Sequence, residues 1–245
     1  VWSNDFLLVQ HLNDDLLDSS TNHNDGLNSG STSIPGQVAA GQMFDGIDDF
    51  IDIGSDTSID DVFSGGGTVS AWINPSTWGE SSWGRIFDKS DALLPGAGWA
   101  LELSGPTQSL LFQQGFDGGV GSWLAEGGSM NLSTWQQVTV TYDSSSAANV
   151  PIFYVNGIEV GRSVDATPVG VAVSGADYNL RIGNFSSDTT RTFNGGIDDV
   201  SISGAVRSED WVRAQFLNTT SAFVSFGGEE TVPGINGVLV NDSDA

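Results

Sequence analysis

The stretch Ile152-Phe153-Tyr154-Val155-Asn156-Gly157-Ile158-Glu159-Val160 indicates the fold class. Two short runs of β-branched and aromatic residues flank an Asn-Gly pair, and this pair tolerates the positive φ angles that a two-residue hairpin turn needs. The stretch therefore predicts a β-hairpin with its turn at Asn156 and Gly157. Similar apolar runs bounded by Gly, Asn, Asp and Pro recur along the chain, which is typical of a protein built from strands.

Short apolar runs of this kind predict twelve strands and a single helix. The predicted strands cover residues 6–12, 42–44, 50–53, 68–74, 85–88, 99–103, 109–113, 137–142, 152–155, 159–163, 179–182 and 198–203. The helix covers residues 208–217, because Ser208 can cap it and Glu209 and Asp210 fall in its first turn. This order of elements predicts an all-β protein with a two-sheet antiparallel sandwich and one short C-terminal helix.

Acidic residues outnumber basic residues 31 to 7, which gives the chain a formal net charge of −24. Almost no cation is left to neutralise phosphate, and this excludes nucleic acid and anionic membrane surfaces as partners. The absence of Cys excludes disulfides and Cys-based zinc sites. No apolar run approaches the roughly 18 residues of a membrane span, so no membrane insertion is predicted. The excess acid would by itself also keep a surface hydrated in salty water.

The composition changes near Gly227, where two Gly residues precede Glu229 and Glu230. We therefore predict one domain over residues 1–230, and a linker or the start of a following module over residues 231–245. The chain opens at Val1 without an initiator Met, so we expect it to be a piece of a longer protein.

Several motifs occur in a fixed order along the chain. They are His11-Leu12-Asn13-Asp14, Asp18-Ser19-Ser20-Thr21-Asn22-His23-Asn24-Asp25-Gly26, Phe44-Asp45-Gly46-Ile47-Asp48-Asp49-Phe50, Thr68-Val69-Ser70-Ala71-Trp72-Ile73-Asn74-Pro75, Trp135-Gln136-Gln137-Val138-Thr139-Val140 and Phe193-Asn194-Gly195-Gly196-Ile197-Asp198-Asp199-Val200. As a set they resemble the concanavalin A-like lectin/glucanase superfamily, in its bacterial laminin G-like branch, over about residues 6–226. The resemblance implies a jelly-roll sandwich with a structural calcium ion.

The end of the chain, Gly237-Val238-Leu239-Val240-Asn241-Asp242-Ser243-Asp244-Ala245, is similar to the opening of bacterial cadherin-like repeats. Such repeats occur in long surface adhesins and in secreted multidomain proteins. The resemblance therefore implies that the protein is secreted or lies on the bacterial cell surface, with neighbouring domains in the same chain.

The resemblance also implies a set of calcium ligands. It carries this role over to Asp18, Asn24 and Asp198, with the carbonyl oxygen of Gly26 as a further ligand. Ca²⁺ prefers six to eight oxygen ligands, which a polar Asp/Asn/Gly loop supplies. The alternative is that these residues only build turns, as Asp and Asn do in most proteins.

A second acidic group comprises Asp45, Asp48, Asp49 and Asp52, with no Lys or Arg nearby in the sequence. Carboxylates so close together repel one another unless they accept backbone hydrogen bonds or bind a cation. We predict that Asp45 bonds the backbone of the turn at Gly46. For Asp48 and Asp49, a second ion and turn bonding both stay open.

The chain lacks the motifs of several enzyme classes. Glycosidases of the resembling superfamily carry Glu-x-Asp-x-x-Glu on one strand, and none of the seven Glu residues begins that pattern. No Gly-x-Ser-x-Gly, no P-loop, no dinucleotide fingerprint and no His-Glu-x-x-His occurs either. We therefore predict a protein that is not an enzyme.

Three tryptophans fall in stretches rich in Gly and Ser, Trp78 and Trp83 in residues 75–84 and Trp123 in residues 116–128. A tryptophan in a polar loop can stack its apolar face on a sugar ring. Polar candidates for bonding the sugar hydroxyls are Arg85, Asp117, Asn184 and Arg191. The alternative is that these tryptophans plug the rim of the sandwich.

Together these features predict a non-catalytic, calcium-stabilised module of a large exported adhesin-like protein that binds a glycan or a cell-surface ligand. A neutral sugar is favoured, because a charge of −24 repels acidic polysaccharides unless calcium bridges the two. The alternatives are a structural spacer without a ligand and an accessory binding domain of a secreted polysaccharide-degrading enzyme.

Overall fold

The computed structural model describes residues 3–92, 94 and 96–220, which form sixteen strands and one α-helix. The strands are β1 (Phe6–Gln10), β2 (Leu27–Ser29), β3 (Thr32–Pro35), β4 (Ala40–Asp45), β5 (Phe50–Gly54), β6 (Gly67–Pro75), β7 (Arg85–Ser90), β8 (Gly98–Ser104), β9 (Ser109–Phe116), β10 (Gly119–Ala125), β11 (Gln136–Tyr142), β12 (Ile152–Val155), β13 (Ile158–Val160), β14 (Arg162–Ala166), β15 (Leu180–Ile182) and β16 (Asn194–Ser203). The helix is α1 (Glu209–Thr219). The predicted domain end near residue 230 and the predicted linker lie outside the described residues.

The strands form two eight-stranded antiparallel sheets. The first sheet has the order β13-β12-β11-β6-β16-β4-β3, and β1 pairs with the C-terminal part of β16. The second sheet has the order β14-β10-β9-β8-β7-β15-β5-β2. The predicted all-β fold, a two-sheet antiparallel jelly-roll sandwich with one short helix, is confirmed. The described part of the chain contains no helix that is long and apolar enough to cross a membrane.

The core lies between the two sheets, because every second residue of the central strands faces inward. In β8 the inward residues are Trp99, Leu101 and Leu103, and in β9 they include Phe112. The ring of Phe63 packs edge-on against Trp99 and Phe112, with centroids 5.2 Å and 5.1 Å away. Removal of this apolar surface from water is the main stabilising contribution.

The predicted hairpin and helix are both confirmed. Asn156 and Gly157 have φ angles of 52° and 72° and join β12 to β13. The side chain of Ser208 accepts a hydrogen bond from the Trp211 N–H and so caps α1. Phe216 of α1 stacks on Trp72, with ring centroids 5.7 Å apart, which fixes the helix on the outer face of the first sheet.

Two sequence predictions about local structure were wrong. Residues 116–128, predicted as a loop, contain β10, and the glycines that suggested a loop have a packing role. A Cβ atom on Gly121 would lie 2.5 Å from the Trp123 ring, so only Gly leaves room for that ring. The predicted strand 159–163 is two strands, because the chain passes from β13 in the first sheet to β14 in the second at Gly161.

Candidate functional site

A cleft of about 320 Å³ lies on the outer face of the second sheet. Its lining comprises Trp83, Leu94, Glu102, Leu111, Gln113, Asp165 and Arg191. Glu102 alternates with the core residues Leu101 and Leu103 along β8, so its side chain points away from the sandwich core. The cleft is therefore a surface feature that is separate from the packed interior.

Strands β8 and β9 form the floor of the cleft. Glu102 is paired with Leu111 across the two strands, and Gln113 lies two residues further along β9 on the same face. At the side of the floor, Asp165 accepts a hydrogen bond of 3.0 Å from Ser122, whose strand partner is Gln113. The side chains that offer oxygen atoms thus lie near one another, with Glu102 and Gln113 at diagonal positions of the sheet and Asp165 beyond Ser122.

An ion network lies beside the floor, where Arg85 on β7 is the cross-strand partner of Glu102 on β8. Arg85 Nη1 is 2.8 Å from Glu102 Oε1, and Arg85 Nε is 3.0 Å from Asp88 Oδ2. All three side chains are buried, so two carboxyl groups compete for one guanidinium group in a site of low dielectric. Burial raises the pKa of Glu102 to about 7 and the pKa of Asp88 to about 6.

Gln113 differs from the other polar residues of the floor. Its side chain is 1% exposed, and its Oε1 atom has no hydrogen-bond partner among the described residues. A buried acceptor without a partner is rare in folded proteins, because it loses water without replacing it. This atom therefore marks the floor as a place where a bound molecule would complete a hydrogen bond.

Trp83, Arg191 and Leu94 form the rim. Trp83 is part-exposed and follows the 3-10 turn Glu80–Ser82, whose Glu80 carbonyl oxygen accepts a hydrogen bond of 3.1 Å from the Trp83 N–H. Leu94 is 68% exposed. An aromatic ring and an aliphatic side chain thus rise beside a polar floor, which is the usual composition of small-ligand sites.

Arg191 is held in place through its backbone. Its carbonyl oxygen accepts a hydrogen bond of 2.9 Å from the Arg85 N–H, and its own N–H donates to Asn184 Oδ1 at 3.3 Å. Asn184 is fully buried and also donates to Thr192 Oγ1 at 2.7 Å. Arg191 and Glu102 both line the cleft. The guanidinium group of Arg191 lowers the pKa of Glu102, but this effect is smaller than the opposite effect of burial.

Of the seven sequence-predicted ligand-binding residues, Trp83 and Arg191 line the cleft. Arg85 and Asn184 are fully buried and are not among the residues that line the cleft; Arg85 pairs with Glu102, and Asn184 bonds Thr192 and the backbone of Arg191. Trp78 packs partly buried against the core.

The structure contradicts the prediction for Trp123. Its ring is fully buried and stacks on Phe112, with centroids 6.1 Å apart, so it has no free face for a sugar. Asp117 is not part of the cleft, because it lies in the β9–β10 turn and accepts a hydrogen bond of 2.9 Å from the Val171 N–H.

Sequence reasoning missed Glu102, Gln113 and Asp165. A signal exists for Glu102, which stands between the apolar Leu101 and Leu103, but it is weaker for Gln113, because Gln114 follows it on the opposite face of the strand. A polar residue inside such a strand indicates the face that does not contact the core. For Asp165 no such signal exists, because its place depends on the pairing of β14 with β10.

The predicted calcium ligand Asp18 accepts four hydrogen bonds from the protein. Its Oδ1 atom accepts hydrogen bonds from the backbone N–H groups of Val9 and Ser20, at 2.9 Å and 2.8 Å. Its Oδ2 atom accepts from Ser20 Oγ at 2.6 Å and from the Asn24 N–H at 2.9 Å. A carboxylate has about four lone-pair positions, and protein donors use all of them. These four bonds are those expected of a turn-building Asp, and the calcium role of Asp18 stays a prediction.

The other three predicted ligands also have protein contacts. Asn24 donates from Nδ2 to the Leu7 carbonyl oxygen at 2.8 Å, and its own carbonyl oxygen accepts from Gln10 Nε2 at 3.1 Å. The Gly26 N–H donates to the Leu16 carbonyl oxygen at 2.9 Å. These bonds hold the loop in place but do not involve Asn24 Oδ1 or the Gly26 carbonyl oxygen, so the calcium role of Asn24 and Gly26 stays a prediction.

Asp198 has one oxygen atom that is still available to a cation. Its Oδ2 atom accepts a hydrogen bond of 2.7 Å from the Val38 N–H, while Oδ1 is buried without a partner among the described residues. A Cβ atom on Gly36 would lie 2.3 Å from Oδ2, so the turn at Gly36 must be Gly to approach so closely. Burial raises the pKa of Asp198 to about 6.

The second acidic group is partly explained by turn bonding. Asp45 Oδ1 accepts a hydrogen bond of 2.8 Å from the Ile47 N–H, as predicted for this turn. Asp49 Oδ2 accepts one of 2.8 Å from the Asp45 N–H. Carboxylate oxygens of Asp45, Asp48 and Asp49 lie within 4.8 Å of one another, so the choice between turn bonding and an ion stays open for Asp48 and Asp49.

The chain was compared with known sequences and structures. A family model described as the concanavalin A-like lectin/glucanases superfamily matches residues 44–213. The comparison with curated proteins finds no match.

Solved structures share the fold. The binding domain of Paraclostridial Mosquitocidal Protein 1 superposes with a TM-score of 0.68 at 14% identity, over 87% of this chain and 52% of that one. The binding domain of botulinum neurotoxin DC in complex with SialylT gives 0.61 at 14%, over 88% and 52%. Domain 4 of an extracellular GH43 arabinanase from Geobacillus stearothermophilus, in complex with arabinotriose, gives 0.55 at 18%, over 85% and 97%.

The chain spans about half the length of the toxin binding domains that it matches. At these identities the likeness shows the fold, whereas the family match covers most of the chain. The chain belongs to the laminin G-like family of the concanavalin A-like lectin/glucanase superfamily.

Proposed function

We propose that this domain is a carbohydrate-binding module and that it holds its glycan in the cleft above β8 and β9. The observation that carries the proposal is the part-exposed ring of Trp83 on the rim of a cleft with an oxygen-rich floor. The apolar face of a sugar ring stacks on an aromatic side chain, while its hydroxyl groups need polar partners. Trp83 supplies the aromatic side chain. The polar partners are Glu102, Gln113, Asp165 and Arg191.

Two comparisons support a glycan as the ligand. The arabinanase domain with the same fold was solved with arabinotriose, and a toxin binding domain was solved with SialylT. The cleft volume of about 320 Å³ lies at the small end of the range for ligand sites, which suits one or two sugar rings.

The proposal favours a neutral sugar. The carboxyl groups of Glu102 and Asp165 line the cleft, and the whole chain carries a charge of −24. Both charges repel a uronic acid or a sulfated sugar. Arg191 is the only basic residue among the described residues that line the cleft, and it lies beside Glu102.

Binding without catalysis is the second part of the proposal. The carboxyl group of Glu102 is tied to Arg85, and Asp165 is tied to Ser122. The sequence contains neither the Glu-x-Asp-x-x-Glu motif of the superfamily's glycosidases nor the Gly-x-Ser-x-Gly and His-Glu-x-x-His motifs of other hydrolases. An accessory binding domain of a polysaccharide-degrading enzyme fits the same cleft, as does a module of an exported adhesin-like protein.

The proposal places the protein outside the cell or on the bacterial cell surface, where polysaccharides are met. Support comes from the arabinanase, whose name describes it as extracellular, and from the toxin binding domains. A structural calcium ion also belongs to the proposal, with Asp198 Oδ1, which is buried without a partner among the described residues, as a side-chain ligand atom. A spacer without a ligand is the rival function.

Titration calorimetry with neutral and uronic oligosaccharides tests the proposal. We expect binding of a neutral oligosaccharide in the high-micromolar to millimolar range, since one stacked ring contributes on the order of 1 kcal/mol. The Trp83→Ala variant should lose this binding. The matched control is Trp211→Ala, which removes a part-exposed tryptophan from α1 on the opposite sheet. If no sugar binds at millimolar concentration, the spacer function is correct.

A further inference from the structure

The floor of the cleft offers more hydrogen-bond acceptors than donors, because Glu102 and Asp165 only accept when ionised and the Gln113 amide supplies the donors. Gln113 Oε1 is buried and has no hydrogen-bond partner among the described residues. The neighbouring carboxyl groups of Glu102 and Asp165 are acceptors when ionised. A ligand that fits this floor must therefore bring hydrogen-bond donors to it.

Two classes of donor are available to a glycan, the hydroxyl group and the ammonium group of an amino sugar. Arg191 lines the same cleft and lies close enough to Glu102 to lower the pKa of its carboxyl group. The positive charge of Arg191 repels an ammonium group on the ligand. The negative charge of Glu102 is already paired with Arg85 on the neighbouring strand β7. The charges of the cleft thus favour a hydroxyl group.

The positions of the two acceptors also restrict the ligand. Glu102 on β8 and Gln113 on β9 are diagonal neighbours on one face of the sheet, because Glu102 pairs with Leu111 and Gln113 follows two residues later. Diagonal neighbours on a sheet have side chains within reach of a common group. Leu111 lies beside them as an apolar surface for the ring carbons.

We infer that Gln113 and Glu102 determine the specificity of the cleft by accepting hydrogen bonds from adjacent free hydroxyl groups of one neutral sugar ring. This inference rests on the proposed function and names its substrate class, glycans whose hydroxyl groups are unsubstituted. Sugars that carry O-methyl or O-acyl groups at these positions are rejected, because they leave Gln113 Oε1 buried and unpaired and bring no donor to Glu102. Arg85 is a positioning residue, since it holds Glu102 and does not reach the ligand.

The inference is tested with arabinotriose, cellotriose, maltotriose and lactose, each beside its per-O-methylated form, which keeps the ring and loses every donor. We expect the wild-type domain to bind at least one parent sugar about tenfold more tightly than the methylated form. In the Gln113→Leu variant, affinity for the parent should fall about tenfold while affinity for the methylated form stays the same. A tenfold loss is what one hydrogen bond contributes.

A matched control is Gln137→Leu. Gln137 lies in the first sheet, is 2% exposed and also has an Oε1 atom without a partner among the described residues, so the control repeats the chemical change away from the cleft. A second readout is the pH profile of binding. Wild-type affinity should rise with pH as Glu102 ionises around pH 7, and Glu102→Gln should remove that rise.

The outcomes separate this inference from the proposed function. If Trp83→Ala abolishes binding but Gln113→Leu binds both forms as the wild type does, the inference is overturned and the proposed function stands. Equal binding of parent and methylated sugars by the wild type overturns the inference in the same way. Absence of binding by every sugar of the panel overturns both.

Discussion

Arg85 Nη1 lies 2.8 Å from Glu102 Oε1, and both side chains are buried. The same guanidinium group contacts Asp88 through Nε. A charged side chain on the outer face of a strand needs a partner when it is buried there, because it has lost its water. This pairing is what allows the central strands of the second sheet to present a carboxyl group to the cleft.

Loss of the guanidinium group should strongly destabilise the fold. The Arg85→Met variant leaves two buried carboxyl groups without their cation, which costs about 3–5 kcal/mol of unfolding free energy. Urea denaturation at pH 8 measures this. At pH 5 the cost should be smaller, because both carboxyl groups are then largely protonated. The exposed Arg162 provides the control, and Arg162→Met should change stability by less than about 0.5 kcal/mol.

Stability should fall as the pH rises from about 4 to 8. Burial raises the pKa of Glu102 to about 7, and the pKa values of Asp88 and Asp198 to about 6. Between the ordinary pKa values of these groups in the unfolded state and their raised pKa values in the folded state, the folded state binds more protons than the unfolded state. The unfolding free energy therefore decreases as pH increases. Thermal denaturation across this range tests the sign. A maximum of stability near pH 8 would contradict the assignment of these raised pKa values.

The two tryptophans that the sequence treated alike should behave differently. Trp123→Ala removes a fully buried ring from the core and should cost about 3–5 kcal/mol of stability. Trp83→Ala removes a part-exposed ring, so the loss should appear in sugar binding and only weakly in the melting temperature. Thermal melts and sugar titrations on the same preparations distinguish the two. A Trp123→Ala variant that melts like the wild type would show that the ring is not in the core.

The stability of the fold should depend on the Asp18 carboxylate, whether or not calcium is present. Asp18→Ala leaves the backbone N–H groups of Val9 and Asn24 without their acceptor, which should cost about 3 kcal/mol. We expect the same loss in excess calcium and in excess chelator. If calcium abolishes the difference between wild type and variant, Asp18 has a metal-linked role.

A calcium ion at Asp198 would make stability depend on free calcium. Because such an ion binds only the folded state, a hundredfold excess over its Kd adds about 2.7 kcal/mol. Chelation should lower the melting temperature of the wild type but leave Asp198→Asn unchanged. An identical midpoint with and without chelator in the wild type removes calcium from the proposal.

The sequence determined the elements whose information is local. Asn156 and Gly157 fix a hairpin because their backbone tolerates positive φ, and Ser208 fixes the start of α1 because its hydroxyl group meets a free N–H. The alternation of apolar residues determined the all-β class, and the order of motifs indicated the family. These signals depend on neighbours within a few residues of one another.

Only the tertiary structure decided which polar and aromatic residues face the solvent. Trp83 and Trp123 both follow Gly- and Ser-rich sequence, yet Gly121 makes room for one ring in the core while a 3-10 turn leaves the other at the rim. Glu102 acquires its role from Arg85, seventeen positions earlier in the chain. Burial and pairing depend on strands brought together from distant parts of the chain, so the local pattern that forms a strand does not fix what its outer face meets.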